Sequence, residues 1–373
     1  MARTPTRFHV ALIALLAWAA VLYGPLRHAP FVYEDAQYFG AESSTWGWET
    51  ITFRQPSRTL TMATYGWVHR AWLFDPGAQH ITNVSIHLVN GVLVYVLAVA
   101  VSQPPAVALG AAGLFLLHPF NSQAVSYVAA RPDVLSATFI LAAMLAILAR
   151  RRRWLWWPVS IVFMIAASAA KDTGVAVVLL ALVTLLCWRR HVTPWGHPVL
   201  AGLWIVLGVG IGMNLIRILD LIALAGAGSS SGMHVQPLEY ITWQMTEIWD
   251  ILRVAVQLDT ATIEHDALQR GLAGAMAAWA LTGVVAAAAV VYWRRQPIVT
   301  WTVTWIAAAL MLRFVVQTNE FVQEQHLYAA SIGLWIGVAS LAFSGWQSAT
   351  RVVREHVAFW QIWRAGTYRL KGA

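Results

Sequence analysis

Two adjacent acids, Glu34 and Asp35, stand in the polar, aromatic run Phe31-Val-Tyr-Glu-Asp-Ala-Gln-Tyr-Phe39. A positioned carboxylate is one of the side chains that takes a proton from a reacting hydroxyl, although adjacent acids in a loop also simply face water. His80, Asn83, His87 and Asn90 recur at helical spacing on one face. That pattern suits the wall of a polar cavity or hydrogen-bonded glue between helices. Further on, Leu117-His-Pro-Phe-Asn-Ser-Gln-Ala-Val-Ser-Tyr127, which contains His118, leads to Arg131 and Asp133, two residues able to pair with each other. Lys171 and Asp172 form a two-residue turn between apolar runs, and Glu324-Gln-His-Leu-Tyr328 opens the last one, with Arg313 shortly before it. Carboxylates and cations gathered in one pocket suit a substrate that carries a phosphate together with a hydroxyl to be activated.

The elements that must position these residues are membrane helices. Hydrophobic residues make up 59% of the 373 and charged residues 11%, against roughly 25% charged in a soluble domain. Apolar runs able to cross, or nearly cross, about 30 Å of hydrocarbon fall at 8–26, 81–101, 104–118, 133–149, 154–170, 173–188, 198–222, 271–293, 297–315 and 327–345. The expected fold is therefore an all-α membrane protein of about ten transmembrane helices. The stretch 240–257 is also largely apolar but holds Glu247, Asp250 and Arg253, and is read as interfacial or re-entrant. With the N-terminus in the cytoplasm, the clusters Arg150–Arg153, Arg189 with Arg190, and Arg294 with Arg295 all lie inside, as does the basic C-terminal tail. The polar residues named above then collect at the outer face. Lys171 breaks the positive-inside preference there, which predicts a local partner or role.

The net charge of +8 comes from these short topogenic clusters, so no nucleic-acid partner is expected. Cys187 is the only cysteine, which excludes an intrachain disulfide and a cysteine-built metal site. The first apolar run lacks a clear small-x-small cleavage site and is read as a spanning helix, not a removable leader. Two long outer segments, 27–80 and 224–270, are candidates for function. Residues 1–345 read as one transmembrane unit, and 346–373 as a cytoplasmic amphipathic tail with Val353, Val357, Trp360 and Trp363 near one face.

Five stretches carry a family resemblance, in order, from Phe31 to Tyr328. Phe31-Val-Tyr-Glu-Asp35 is similar to F-V-x-D-D. Arg58-Thr-Leu-Thr61, with His80, Asn83, His87 and Asn90, is similar to R-P-L-T followed by H-x-x-N-x-x-x-H. The block from Leu117 through Arg131 and Asp133 is similar to L-H-P-x-H-T-E-A-V-x-x-x-x-x-R-x-D, and is the most specific of the five. Ala170-Lys-Asp172 is similar to S-K-E, and Glu324-Gln-His-Leu-Tyr328 to E-R-Y-L-Y. The chain resembles the GT-C superfamily of membrane glycosyltransferases that use polyprenyl-phosphate sugars. Within it, the likeness is to the protein O-mannosyltransferases with transmembrane and tetratricopeptide-repeat regions and to their bacterial relatives. The departures are Glu34 where the family has its first Asp, and Gln325 and His326 where it has Arg and Tyr. No tetratricopeptide repeat is found in the 373 residues, so repeat-based acceptor binding is expected to be absent or supplied by a partner.

The resemblance implies a GT-C-like fold with short interfacial helices in a long first outer loop. It also implies inverting transfer of a hexosyl, mannosyl-like, group from a polyprenyl-phosphate sugar in the membrane to an acceptor hydroxyl on a protein, lipid or glycan. Asp35 or Glu34 would take the acceptor proton. Arg58, Arg131, Lys171, Arg313 and His326 would bind the departing phosphate, and His80, His87, His118, Asp133, Asp172, Glu324 and Tyr328 would line the pocket. No cofactor and no metal is required beyond the lipid-linked donor. The implied location is a bacterial inner membrane, with both termini cytoplasmic and the site outside. A flippase for lipid-linked sugars and a non-catalytic member of a glycan-assembly complex are the rival readings. The one-sided clustering of polar groups and the lack of repeated halves weigh against transport.

Overall fold

The computed structural model describes residues 6–32, 35–39, 48–53, 55, 58–73, 75–149, 153–188, 237–257, 272–293, 295–315 and 323–370. Every regular element among them is helical. Apolar composition demands this, because a backbone N–H or C=O held away from water must find its partner within its own segment. In chain order the helices are α1 (Thr6–Tyr23), α2 (Asp35–Phe39), α3 (Trp48–Phe53), α4 (Thr59–Trp72), α5 (Pro76–Ala100), α6 (Pro105–Leu117), α7 (Ser122–Ser126), α8 (Arg131–Leu148), α9 (Arg153–Ala170), α10 (Val177–Cys187), α11 (Pro237–Gln257), α12 (Leu272–Tyr292), α13 (Pro297–Val315) and α14 (Tyr328–Leu370). Short 3-10 turns at Gly24–His28, Pro119–Asn121, Val128–Ala130, Asp172–Ala176 and Glu324–Leu327 shape the connections.

Among the described residues, six helical segments are long and apolar enough to cross a membrane: Thr6–His28, Pro76–Ala100, Val128–Leu148, Leu272–Tyr292, Pro297–Phe314 and Glu324–Arg354. Three shorter apolar helices, Pro105–Leu117, Leu155–Ala170 and Asp172–Leu185, lie among them. Together they fall on every run expected from the sequence except 198–222, which lies outside the described residues. Helix α11 carries Glu239, Glu247, Asp250 and Arg253 and is not among the crossing set. It packs on α12 and α13, with Trp249 Nε1 donating to Thr282 Oγ1 at 2.9 Å. The described residues between Asp35 and Trp72 form the short helices α2, α3 and α4.

Helix α14 runs without a break through 345/346 as a single 43-residue helix, about 65 Å long at 1.5 Å per residue and roughly twice the hydrocarbon thickness. Along the stretch from Trp346 to Arg354 the side chains Trp346, Val352 and Val353 are exposed.

Packing places α8 at the centre, against α5 and α9, while α6 fills the space between α5 and α14. The start of α5 is fixed by Asp75, whose carboxylate accepts from Gly77 N–H and Ala78 N–H at 3.1 Å each, with Pro76 at the first helical position. That start sets the rotation of α5 so that Gln79, His80, Asn83, His87 and Asn90 all turn inward and are buried. Helices α13 and α14 approach closely, because a Cβ at Gly333 would meet the Trp305 ring at 2.5 Å. Small residues at a helix contact serve packing where no water is squeezed out. Two indole N–H groups are satisfied across helices: Trp305 donates to Ala329 O at 3.0 Å, and Trp301 to Thr184 Oγ1 at 3.1 Å.

Candidate active site

Asp35 opens α2 and ties it to the core. Its own N–H donates to Val32 O at 3.0 Å, and Val32 N–H donates back to Oδ2 at 3.2 Å. Oδ1 accepts from Ala129 N–H at 2.7 Å. The side chain is fully enclosed beside an aromatic group in which Phe31 stacks on Phe39 at 4.8 Å and Phe39 meets Tyr65 edge-on at 5.3 Å. Burial pushes the Asp35 carboxyl up to about 6, against the pull of the Val32, Ala129 and Val128 N–H groups and of the Arg131 charge. Each carboxylate oxygen has two lone pairs, so each keeps an acceptor position beyond these bonds. Glu34 lies outside the described residues.

Arg131, implied by the resemblance to bind phosphate, is buried in full. Its Nε donates to Asn83 Oδ1 at 2.7 Å, and Nη2 donates to Gln79 O at 2.8 Å and to Gln79 Oε1 at 2.7 Å. Nη1 donates to Thr64 Oγ1 at 3.4 Å, and the guanidinium lies 4.3 Å from the centre of the Tyr65 ring. Four of the five N–H groups of the fork are thus directed at the protein itself. Asp133 is not its partner, since side chains two apart on a helix do not face each other.

Asp133 pairs with Lys171 instead, and both side chains are nearly enclosed. Arg58 Nη2 lies 3.4 Å from Asp172 Oδ2. Arg58 and Arg313 both act electrostatically on Lys171, and all three act on His326. Arg58, Lys171, Arg313 and His326 therefore share one neighbourhood. Burial draws the Lys171 ammonium down to about 8. Asp133 opposes that shift, and the positive charges of Arg313 and Arg58 add to it. His326 enters as a donor: Gln323 N–H donates to its Nδ1 at 3.0 Å in a capping box, so a neutral ring carries its hydrogen on Nε2.

The turn that presents Lys171 depends on glycine. Gly174 N–H donates to Lys171 O at 2.8 Å, and a Cβ at Gly174 would fall 2.0 Å from the carbonyl oxygen of Ala167. Gly174→Ala is accordingly expected to push the turn off α9, destabilising the protein by about 1–3 kcal/mol and lowering turnover by displacing Lys171 and Asp172. Thermal melting in detergent beside an activity assay measures both, and parental values for the two would show that the turn relaxes without consequence.

Tyr65 lies within electrostatic reach of Arg131, Asp35 and Arg58. Its hydroxyl donates to Val128 O at 2.7 Å, and Tyr38 lies beside it at 5.6 Å between ring centres. Thr61 Oγ1 donates to Ala170 O at 2.8 Å, which ties α4 to the Lys171 turn.

The remaining pocket candidates divide. His87 Nδ1 is 2.7 Å from Tyr328 Oη, and Asn90 Nδ2 donates to the same hydroxyl at 3.2 Å and to Val134 O at 2.9 Å. All three are buried and link α5, α8 and α14, which is the glue reading of the α5 stripe. His80 is buried beside the carbonyls of Pro30 and Ser126, near Arg131. His118 accepts from Phe120 N–H at 3.1 Å and lines an apolar cavity of about 690 Å³ between α6 and α14, apart from the charged residues. Glu324 is buried in the turn that holds His326, where Gln325 N–H donates to Gln123 Oε1 at 2.9 Å. Sequence reasoning missed Thr64, Tyr65 and Gln79. The available signal was helical spacing, since Thr61 and Tyr65, like Gln79 and Asn83, are four apart on one face.

No family model matches the chain, and no solved structure matches it. Over 185 residues the chain is 29% identical to the protein O-mannosyl-transferase Tmtc1 of Drosophila melanogaster, a match covering 44% of this chain and 21% of that protein. The chain thus spans about a fifth of the length of this curated relative. The similarity is distant and partial, and it agrees in kind with the resemblance carried by the motifs.

Proposed function

We propose that this protein is a membrane glycosyltransferase of GT-C type. It moves a hexosyl, mannosyl-like, group from a polyprenyl-phosphate sugar to an acceptor hydroxyl at the outer face of a bacterial inner membrane, with both termini in the cytoplasm. The observation that carries the reading is an enclosed carboxylate at Asp35 together with the charged cluster around Lys171, whose turn is tied to α4 by Thr61. Partial similarity to an O-mannosyl-transferase supports the general class.

In this reading Asp35 takes the proton of the acceptor hydroxyl as its oxygen forms a bond to the anomeric carbon. The bond from that carbon to the phosphate oxygen breaks on the opposite face, which inverts the centre, and polyprenyl phosphate leaves with the electron pair. Arg58, Lys171 and Arg313 stabilise the departing phosphate as its charge grows, and His326 adds an N–H donor. Enclosure strengthens each of these contacts relative to water.

The test is donor turnover by purified protein supplied with radiolabelled polyprenyl-phosphate hexoses. Transfer to an acceptor, or slow release of free sugar, is expected. Movement of intact donor between leaflets without cleavage would replace this reading with transport, and binding without turnover would replace it with a scaffold.

The two titrating groups give the reaction a pH window. Transfer requires ionised Asp35, so kcat/KM falls as pH drops through about 6. Donor capture requires charged Lys171, so kcat/KM also falls as pH rises through about 8. Bound phosphate favours the ammonium, so the basic limb of kcat alone moves higher. A flat profile from pH 5 to 9 would remove Asp35 and Lys171 from these roles.

A further inference from the structure

We infer that Arg131 is a positioning residue for the reaction, fixing the 127–130 turn on which the Asp35 carboxylate rests, and not a ligand of the donor phosphate. This rests on the reading of Asp35 as the base.

The turn is short and is gripped from two sides. Asn83 Nδ2 donates to Tyr127 O at 3.0 Å, and Tyr65 Oη donates to Val128 O at 2.7 Å. The next N–H in the chain, that of Ala129, is the one that holds Asp35 Oδ1 at 2.7 Å. Arg131 fastens both grips. It donates from Nε to Asn83 Oδ1, which leaves the Asn83 amide N–H₂ aimed at Tyr127 O, and it lies over the ring of Tyr65. Through Gln79 and Thr64 it also joins α5 to α4. A planar fork with fixed donor directions makes these contacts together, whereas an ammonium is a point charge and does not.

Its charge has a second effect. Of the groups around Asp35, Arg131 of α8 is the cation whose field favours the ionised carboxylate. Among the described residues, Tyr65 of α4 lies within electrostatic reach of Asp35, Tyr38 of α2 stands beside Tyr65, and His80 of α5 stands beside Pro30 and Ser126 near Arg131. Removing the Arg131 charge therefore makes Asp35 harder to ionise.

Arg131→Lys, Arg131→Met and Tyr65→Phe, each beside Asp35→Asn, test the inference through kcat, donor KM and the acid limb of kcat/KM. Displacing a reacting group by an ångström costs on the order of 10²-fold in rate, so Arg131→Lys is expected to lower kcat on that scale with donor KM nearly unchanged. Arg131→Met should add a shift of the acid limb to higher pH, an effect that a purely architectural strut would not produce. Tyr65→Phe keeps the ring under the guanidinium but releases Val128 O, and should lower kcat with the acid limb in place. If Arg131→Met fails to fold, Arg131→Lys and Tyr65→Phe still decide through the split between kcat and KM. A large rise in donor KM at unchanged kcat in Arg131→Lys would make Arg131 a phosphate ligand and overturn the inference. An unmoved acid limb in a folded Arg131→Met variant would overturn the electrostatic part. Full activity in Asp35→Asn would instead sink the base assignment, whatever the Arg131 variants do.

Discussion

Asp35→Asn is expected to lower kcat/KM for transfer by roughly 10²–10⁴-fold, the usual contribution of a positioned base, while donor binding stays near its parental strength. The carboxamide nearly matches the carboxylate in shape, but one of its two ends is now a donor. If its oxygen keeps Ala129 N–H, its N–H₂ faces Val32 N–H, and an unmet buried contact of this kind costs about 1–3 kcal/mol. Melting temperature and expression in membranes must therefore be matched before rates are compared. Glu34→Gln made alongside separates the adjacent acids, a choice the sequence leaves open. If the Glu34 variant alone loses turnover, the base is Glu34. If both variants keep full activity, no acid of this pair serves as one.

The second large effect belongs to Lys171. Lys171→Met removes a cation from the cluster and also strands Asp133, its enclosed partner. Breaking a buried ion pair from one side destabilises by about 3–5 kcal/mol, so loss of function in the single variant is ambiguous by itself. The double variant Lys171→Met/Asp133→Asn removes the stranded charge and is expected to recover most of the stability. It should not recover donor capture. Losing a charged hydrogen bond of about 1.5–3 kcal/mol corresponds to a donor KM raised roughly 10- to 100-fold. A stable double variant with the parental donor KM would show that Lys171 serves only to neutralise Asp133.

What the sequence made legible follows from what hydrocarbon demands of a chain. The apolar run 297–315 coincides with Pro297–Val315, and 81–101 with most of Pro76–Ala100, because length and composition are the very quantities that decide a crossing. The continuation of α14 through Trp346 to Leu370 was not legible, since polar and basic residues continue a helix as readily as they end one. Site residues were legible by type and less so by partner. Lys171 pairs with Asp133, 38 positions away, and not with the neighbouring acid Asp172. Arg131 and Asp133 are close enough in the chain to pair, but a helix turns them to different sides and sends Arg131 to Asn83 and Gln79. His87 meets Tyr328 across 241 positions, a pairing created by the packing of α5 on α14 and carried by no local pattern.

The central claim, that the charges around Lys171 hold a lipid-linked phosphate within reach of Asp35, is tested most directly by cryo-electron microscopy with a non-hydrolysable polyprenyl-phosphate hexose analogue. The account predicts phosphate density in hydrogen-bond contact with Lys171 and with Arg58 or Arg313, and the sugar directed toward Asp35 and Tyr65. Phosphate bound away from all three cations, or a sugar pointing away from Asp35, would contradict it.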